Sequence, residues 1–385
     1  MFKDKKEIDK INKEKSHSFL GNLLLQPTVN CTDSNRGQMF SGMILQCIQI
    51  ENAEPPLVFT DFENQFGDYS SYGYKRLDGE FEVIKKFYKN KYNYLLLVKN
   101  VKTGEYDVVF RNECKHLTEK YGYHNKNDVI DSLQTGDIIE DEVLYRNNNY
   151  DDDMNFQYGT NLNTLFMSYG GYTNEDAVVI SKSTAEKMAA PFVNVINIPL
   201  NTNDILINSL GNNDYYKCFP DIGEKLDNSG IVCSSRRINY DDVAVTLKNM
   251  RSRLNSDTSY YIHESENSKI VDINVFCNEN DKEKTFNELY NKQIGKYYYE
   301  NQKYYTEFYE FMKPIVEGKS KKVSHKFTKE LLYIYNRYKM LIDPNVRLKC
   351  DGTLFDHIIL QLVVLTRSPL CVGSKLAGRY GSLNR

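Results

Sequence analysis

The sequence predicts an α+β fold, mainly β, with a compact barrel-like core interrupted by an inserted helical region. Three observations carry that expectation. Tyr94 to Phe110 holds two β-rich runs on either side of Thr103-Gly104, the pattern of a hairpin. A short echo recurs as Thr135-Gly-Asp-Ile-Ile, Ile222-Gly-Glu-Lys-Leu and Val372-Gly-Ser-Lys-Leu. Each copy sets a glycine turn and a polar residue ahead of an apolar one, which suits strands that enter a barrel through similar turns. Finally, between strand-like Ser268–Phe276 and Ile358–Leu365, apolar residues fall at three- and four-residue steps, the period of a helix.

In chain order, residues 1–16 are highly charged and read as a short helix or arm, and Phe19 to Pro27 is apolar. Arg146–Tyr158, rich in asparagine and aspartate, reads as a solvated loop. Ala177-Val-Val-Ile180 reads as a strand. Phe286, Tyr290, Ile294, Tyr297, Tyr305, Phe308 and Met312 mark one amphipathic helix, ended by Pro314 and Gly318. Phe327, Leu331, Ile334, Tyr335 and Tyr338 start a second. This aromatic stripe is expected to serve packing against a helix or partner, not a cofactor.

At 385 residues the chain can bury a sizeable core in two or three domains. A net charge of −3 argues against a free-standing nucleic-acid binder, which would carry a basic field. The 8 cysteines include no C-x-x-C pair, so neither a zinc site nor a disulfide framework is indicated, and reduced cytosolic thiols are expected. The charged start is followed by no apolar signal segment and no run is long enough to span a membrane, so a soluble, non-secreted protein is expected. The 6 histidines show no metal-binding spacing, and neither a nucleophile elbow nor a P-loop occurs.

Candidate chemistry concentrates in Gly373-Ser-Lys-Leu-Ala-Gly-Arg-Tyr-Gly381, where Lys375 and Arg379 are flanked by glycines. Glycine lets a backbone approach phosphate closely, and exposed N–H groups in such turns bind anions. Glu175-Asp176 could orient a basic residue or touch a metal-bound water, or simply cap a turn. Asp151-Asp152-Asp153 points its side chains in divergent directions and is set aside as a Mg²⁺ site. Lys319, Lys321, Lys322 and Lys326 form a basic cluster open to two readings, phosphate contact or a charged loop.

Several segments, in the same order, resemble the central-to-late portion of the β subunit of multisubunit DNA-directed RNA polymerases. Thr32-Asp-Ser-Asn-Arg36-Gly-Gln-Met39, followed by Gln46, is similar to an Asp-Asn-Arg-x-x-Met segment of that family, and Pro55-Pro-Leu-Val58 to its Pro-Leu-Val stretch. Gly159-x-Asn161, Leu165-Phe-Met167 and Gly171-Tyr-Thr-Asn-Glu-Asp-Ala-Val-Val-Ile-Ser181 resemble the signature around Gly-Tyr-Asn-Phe-Glu-Asp-Ala. Ser268–Phe276 resembles the family strand Gly-Thr-Val-x-Asp-Val-x-Val-Phe. Val372-Gly-Ser-Lys-Leu-Ala-Gly-Arg-Tyr-Gly381 resembles Pro-Gly-Asp-Lys-Met-Ala-Gly-Arg-His-Gly.

The resemblance implies a double-psi β-barrel with an inserted, flap-like helical region. It implies an N-terminal arm over 1–30, a core with the first part of the barrel over 31–200 and its continuation over 201–267. The flap-like insertion then covers 268–350, and the last barrel strand with the Lys/Arg-Gly loop covers 351–385. It further implies that Lys375 and Arg36 serve catalysis and that Arg379 and Gln46 meet nucleotide or RNA phosphate, with a buttressing role open for Arg379. Glu175 and Asp176 would lie near a second Mg²⁺ held mainly by the largest (β′-like) subunit. The implied partners are that subunit, the remaining β fragments, a promoter-specificity factor, the DNA template and the RNA transcript, with no membrane. Two departures stand out. Ser374 replaces the aspartate beside the lysine, and Ser-Leu-Asn-Arg follows Gly381 where the family has a second active-site lysine. The second lysine is expected to be either missing or supplied by another polypeptide. A split β subunit of this composition resembles those of giant bacteriophages, implying the cytoplasm of an infected bacterium or a virion. A non-catalytic scaffold, a nucleic-acid-binding module or a virion protein is the alternative.

Overall fold

The computed structural model describes residues 21–66, 73–212, 215–227, 229–238, 255–262, 267–288, 291–318, 326–350, 352–380 and 383–384. The expected arm at 1–16, Tyr290, Gly381 and Lys319, Lys321 and Lys322 of the basic cluster lie outside them.

The hairpin signal at Thr103-Gly104 is realised. Strand β1 (Tyr74–Tyr88) pairs antiparallel with β2 (Asn93–Asn100), which turns into β3 (Glu105–Asn112). Asn100 closes the turn, its side-chain oxygen accepting from the N–H groups of Lys102 and Thr103 while Gly104 takes φ +69°. The run Leu95-Leu-Leu-Val98 is buried throughout because both faces of β2 are covered. Leu95 and Leu97 join Phe87, Tyr106 and Val108 under helices. Leu96 and Val98 join Leu77, Val109, Ile139 and Leu144 on the other side.

Further strands are β4 (Cys114–Thr118), β5 (Tyr121–Lys126), β6 (Ile138–Asn147) and β7 (Ala190–Leu200). A small sheet follows, made of β8 (Asp204–Leu206), β9 (Ile231–Ile238) and β10 (Asn255–Tyr261). Then come β11 (Ser268–Cys277), β12 (Lys326–Phe327), the hairpin of β13 (Lys349–Cys350) and β14 (Thr353–Leu354), and β15 (Ile358–Ser368). The chain closes on the hairpin of β16 (Leu376–Ala377) and β17 (Leu383–Asn384). Ten strands make one sheet in the order β11-β15-β7-β5-β6-β1-β2-β3-β12, with β4 on β5. Within it only the short β12–β3 pair is parallel. The mainly β expectation holds.

Helices α1 (Ser34–Leu45), α2 (Glu63–Phe66), α3 (Asp128–Ser132) and α4 (Lys182–Lys187) are short. The helical insertion departs from the expected two helices. It holds α5 (Lys282–Asn287), α6 (Lys292–Val316) and α7 (Lys329–Ile342). Phe286 lies on α5, folded back so that its ring stacks on Tyr298, 4.9 Å between centroids, across the bare backbone of Gly295. Pro314 does not end α6; it sits in the last turn, where the helix runs on to Val316. Phe327 pairs in β12 instead of starting α7, whose cap is Thr328, accepting from Leu331 N–H.

The stripe of α6 packs on the sheet. Ile294, Tyr297 and Tyr298 enter the core of β7, β11 and β15, while Tyr304, Tyr305, Phe308 and Met312 enter the core of β1–β3 with α7. One helix thus spans both halves of the sheet, and each fully buried apolar side chain along it contributes about 1.5–3 kcal/mol.

Two more expectations are corrected. Residues 177–180 form no strand: Ala177 N–H closes a turn onto Asn174 O, and the segment runs unpaired to Ser181, the cap of α4. Arg146–Tyr158 is no solvated loop. Arg146 and Asn147 end β6, and the Asp151 carboxylate accepts from the N–H groups of Asp153 and Asn155. That turn buries Tyr150 and Phe156.

Candidate functional site

One apolar cluster gathers the segments that carry the candidate residues. Leu25, Phe40 of α1, Phe62, Tyr150 and Phe156 are buried together. Helix α1 starts at Asp33, whose carboxylate accepts from Asn35 N–H, and presses Gly37 and Phe40 inward. A Cβ at Gly37 would come within 3.2 Å of Leu23 Cδ1, so a larger residue here would have to push that side chain aside by a few tenths of an ångström. Arg36, beside Gly37 on the same helix, is exposed, and its guanidinium reaches Met39 Sδ at 3.8 Å. Gln46 caps the C-terminus of α1 through its backbone and leaves its side chain exposed.

Carboxylates brace the neighbouring segments. Glu54 accepts from Thr160 Oγ1 at 2.9 Å, Asn161 N at 2.7 Å and Lys187 Nζ at 2.6 Å, fixing the loop after Gly159. The Lys187 ammonium, then those N–H and O–H donors, hold its carboxyl at about 2. Arg367, at the end of β15, donates to Glu51 and Glu186, each at 2.8 Å, and Leu370 N–H reaches Ala185 O. The final segment is thereby led out beside α4.

Beyond it, Cys371–Ser374 form a turn with Gly373 at φ +94°, and β16 pairs with β17. Lys375 sits between these two fixtures with its side chain exposed. Arg379 is occupied: Nη1 donates to Val58 O at 2.6 Å, and Nη2 donates to Leu25 O at 2.9 Å and Glu63 Oε1 at 3.2 Å. Its guanidinium also lies 5.1 Å from the centre of the Tyr158 ring. Glu63 is fully buried and accepts as well from Thr60 N and Oγ1. Of the two readings of Arg379, buttress and phosphate ligand, the buttress is the one whose bonds are formed within this chain.

Glu175 and Asp176 are both exposed in the loop 159–181, with Glu175 at φ +53° and its N–H on Asn174 Oδ1. The same loop holds Leu165 and Phe166 84% and 98% exposed. The structure therefore brings α1, the segment 51–63 and the Lys375–Arg379 hairpin against one cluster, and ties the base of the 159–181 loop to the same region through Glu54. The braces Glu51, Glu54, Glu63, Lys187 and Arg367 escaped sequence reasoning. Their partners lie far along the chain, Glu63 and Arg379 by 316 positions, and no local spacing marks them. Among the described residues, no helix is long and apolar enough to cross a membrane.

Comparison with known proteins bears on this arrangement. The family model for RNA polymerase Rpb2, domain 6, matches residues 108–382. The DNA-directed RNA polymerase subunit beta of Ehrlichia ruminantium (strain Gardel) is 28% identical over 237 residues, covering 57% of this chain and 16% of the relative. That of Carsonella ruddii (strain PV) is 26% identical over 169 residues, 42% of this chain and 12% of the relative. That of Dehalococcoides mccartyi (strain CBDB1) is 21% identical over 282 residues, 66% of this chain and 20% of the relative. The chain thus spans a fifth or less of the length of these three relatives. Matched over most of its length, it belongs to the RNA polymerase Rpb2 domain 6 family and corresponds to a portion of an RNA polymerase β subunit.

Proposed function

We propose that the chain is a split fragment of the β subunit of a multisubunit DNA-dependent RNA polymerase, of the kind resembled by giant bacteriophage enzymes. It contributes phosphate contacts at the nucleotide and RNA 3′ end to template-directed RNA synthesis and is inactive alone. One observation carries this reading. Lys375 is held at the backbone on both sides, yet among the described residues its ammonium has no carboxylate or carbonyl partner. An unspent cation carried on a fixed backbone suits a developing phosphoryl charge.

At about 4 Å and an effective dielectric near 20, such a pairing is worth roughly 4 kcal/mol before desolvation. Each ~1.4 kcal/mol kept for the transition state is about tenfold in rate. Arg36, exposed on α1, supplies the second cation, and Gln46 at the end of that helix supplies a polar contact. Arg379 fixes the hairpin and serves phosphate only indirectly. In this reading β7, β11 and β15 are strands of a double-psi barrel, and the helices α5–α7 take the place of the flap.

Magnesium supplies the electrophilic chemistry of such enzymes when bound. The described residues offer no set that fits a resident ion. Among the described residues no three His, Cys, Asp or Glu side chains are grouped to hold one. Glu175 and Asp176, adjacent and exposed, fit at most a water of an ion held by the largest subunit. The partners proposed are that subunit, the remaining β fragments, a promoter-specificity factor, template and transcript, in an infected bacterial cytoplasm or a virion.

The test is Lys375→Ala in the assembled enzyme. Assembly should be intact and nucleotide addition slowed at least tenfold. An unchanged elongation rate would overturn the catalytic reading and leave the non-catalytic scaffold, which the bonds of both Arg379 Nη groups to their own chain favour.

A further inference from the structure

Three turns in this chain share one construction. They are Gln134–Asp137, Asp221–Glu224 and Cys371–Ser374, with glycine third in each at φ +95°, +89° and +94°. In each the fourth N–H reaches the first carbonyl, at 3.2, 3.0 and 3.0 Å. That is a turn whose third residue needs positive φ. In each, too, the fourth side chain reaches back to the first N–H. Asp137 Oδ2 accepts from Gln134 N at 2.6 Å, Glu224 Oε2 from Asp221 N at 2.8 Å, and Ser374 Oγ from Cys371 N at 3.2 Å.

The echo in the sequence is therefore a repeated latch, and its working part is the oxygen of the fourth residue. Each latch launches a pairing: β6 starts at Ile138, Lys225 bridges to Lys269, and β16 starts at Leu376. The first two latches are carboxylates. The third is a neutral hydroxyl, and it precedes Lys375, which has no ion-pair partner among the described residues.

We infer that Ser374 is a positioning residue for Lys375. Its hydroxyl closes the turn that leads through Lys375 into β16, the part that a carboxylate plays in the other two turns. The inference rests on the polymerase reading above. Serine here does the mechanical work that Asp137 and Glu224 do elsewhere, so an acid at this position should serve as a latch equally well.

The experiment uses the assembled enzyme. Ser374→Ala should lower kcat/KM for the incoming nucleotide about fivefold, the scale of one lost hydrogen bond, and the loss should appear mainly in kcat. Amide hydrogen exchange at Cys371 should quicken several-fold in the same variant. Ser374→Asp should restore both to within about twofold. The pair Ser374→Thr and Ser374→Val, alike in shape and differing in the hydroxyl, should separate in the same sense, so a loss of packing cannot pass for a loss of the latch. If Ser374→Ala leaves kcat/KM unchanged while Lys375→Ala is impaired, the positioning role is overturned and the polymerase reading stands. If neither variant affects nucleotide addition, both fall.

Discussion

Arg379 and Lys375, four positions apart in a glycine-flanked segment, look alike in the sequence and are treated oppositely by the fold. The difference lies in the acceptors within reach. Arg379 meets two carbonyls and a carboxylate sealed from water, and a planar guanidinium matches such a set where an ammonium does not. Removing it would leave the buried Glu63 carboxyl without its cation and with only the Thr60 donors, a change that typically costs about 3–5 kcal/mol. Arg379→Ala should therefore lower the unfolding midpoint in urea by that order, and Arg379→Lys should recover little of it. Lys375→Ala, on an exposed side chain, should stay within about 0.5 kcal/mol. Equal effects of the two substitutions on stability would contradict this division of labour. Local spacing located both cations and could not assign them, because Leu25, Val58 and Glu63 are more than 300 residues upstream of Arg379.

Among elements, those whose signal is periodic were legible and those set by a distant neighbour were not. The β2–β3 hairpin, β11, β15 and the aromatic faces of α6 and α7 follow from alternation, turn residues and helical spacing. The break between α5 and α6 does not, since an unbroken 3.6-residue stripe passes through it. Across the break Phe286 packs over Gly295, where an added Cβ would lie 2.7 Å from Phe286 Cβ. Gly295→Ala should thus destabilise the protein by about 1–3 kcal/mol despite the better helix propensity of alanine. A stabilised variant in thermal unfolding would show that α5 yields easily. Residues 177–180 were misread for a related reason: β-branched residues favour a strand only where a neighbouring strand offers an edge. The turn at Arg146–Tyr158 was hidden because an aspartate that bonds its own backbone has the same composition as one facing water.

At the scale of the whole molecule, one continuous beam, α6, spans the ten-stranded sheet, and the candidate chemistry gathers at one apolar cluster. Sequence reasoning recovered the balance of strand over helix and the segments that hold the chemistry. The long-range braces that bring those segments together remained invisible to it. The loop that holds Leu165, Phe166 and Met167 lies outside every buried core. The charged residues within the loop 159–181 are Glu175 and Asp176, and the chain as a whole carries a net charge of only −3. Greasy side chains on a nearly neutral particle make for poor colloidal behaviour, because little electrostatic repulsion keeps collisions from becoming adhesion. Light scattering of the isolated chain should therefore report particle sizes that grow with concentration and with added salt. Leu165→Ser combined with Phe166→Ser should return the size to that of a monomer. A preparation that stays monodisperse at high concentration would mean that these side chains find shelter without help from another molecule.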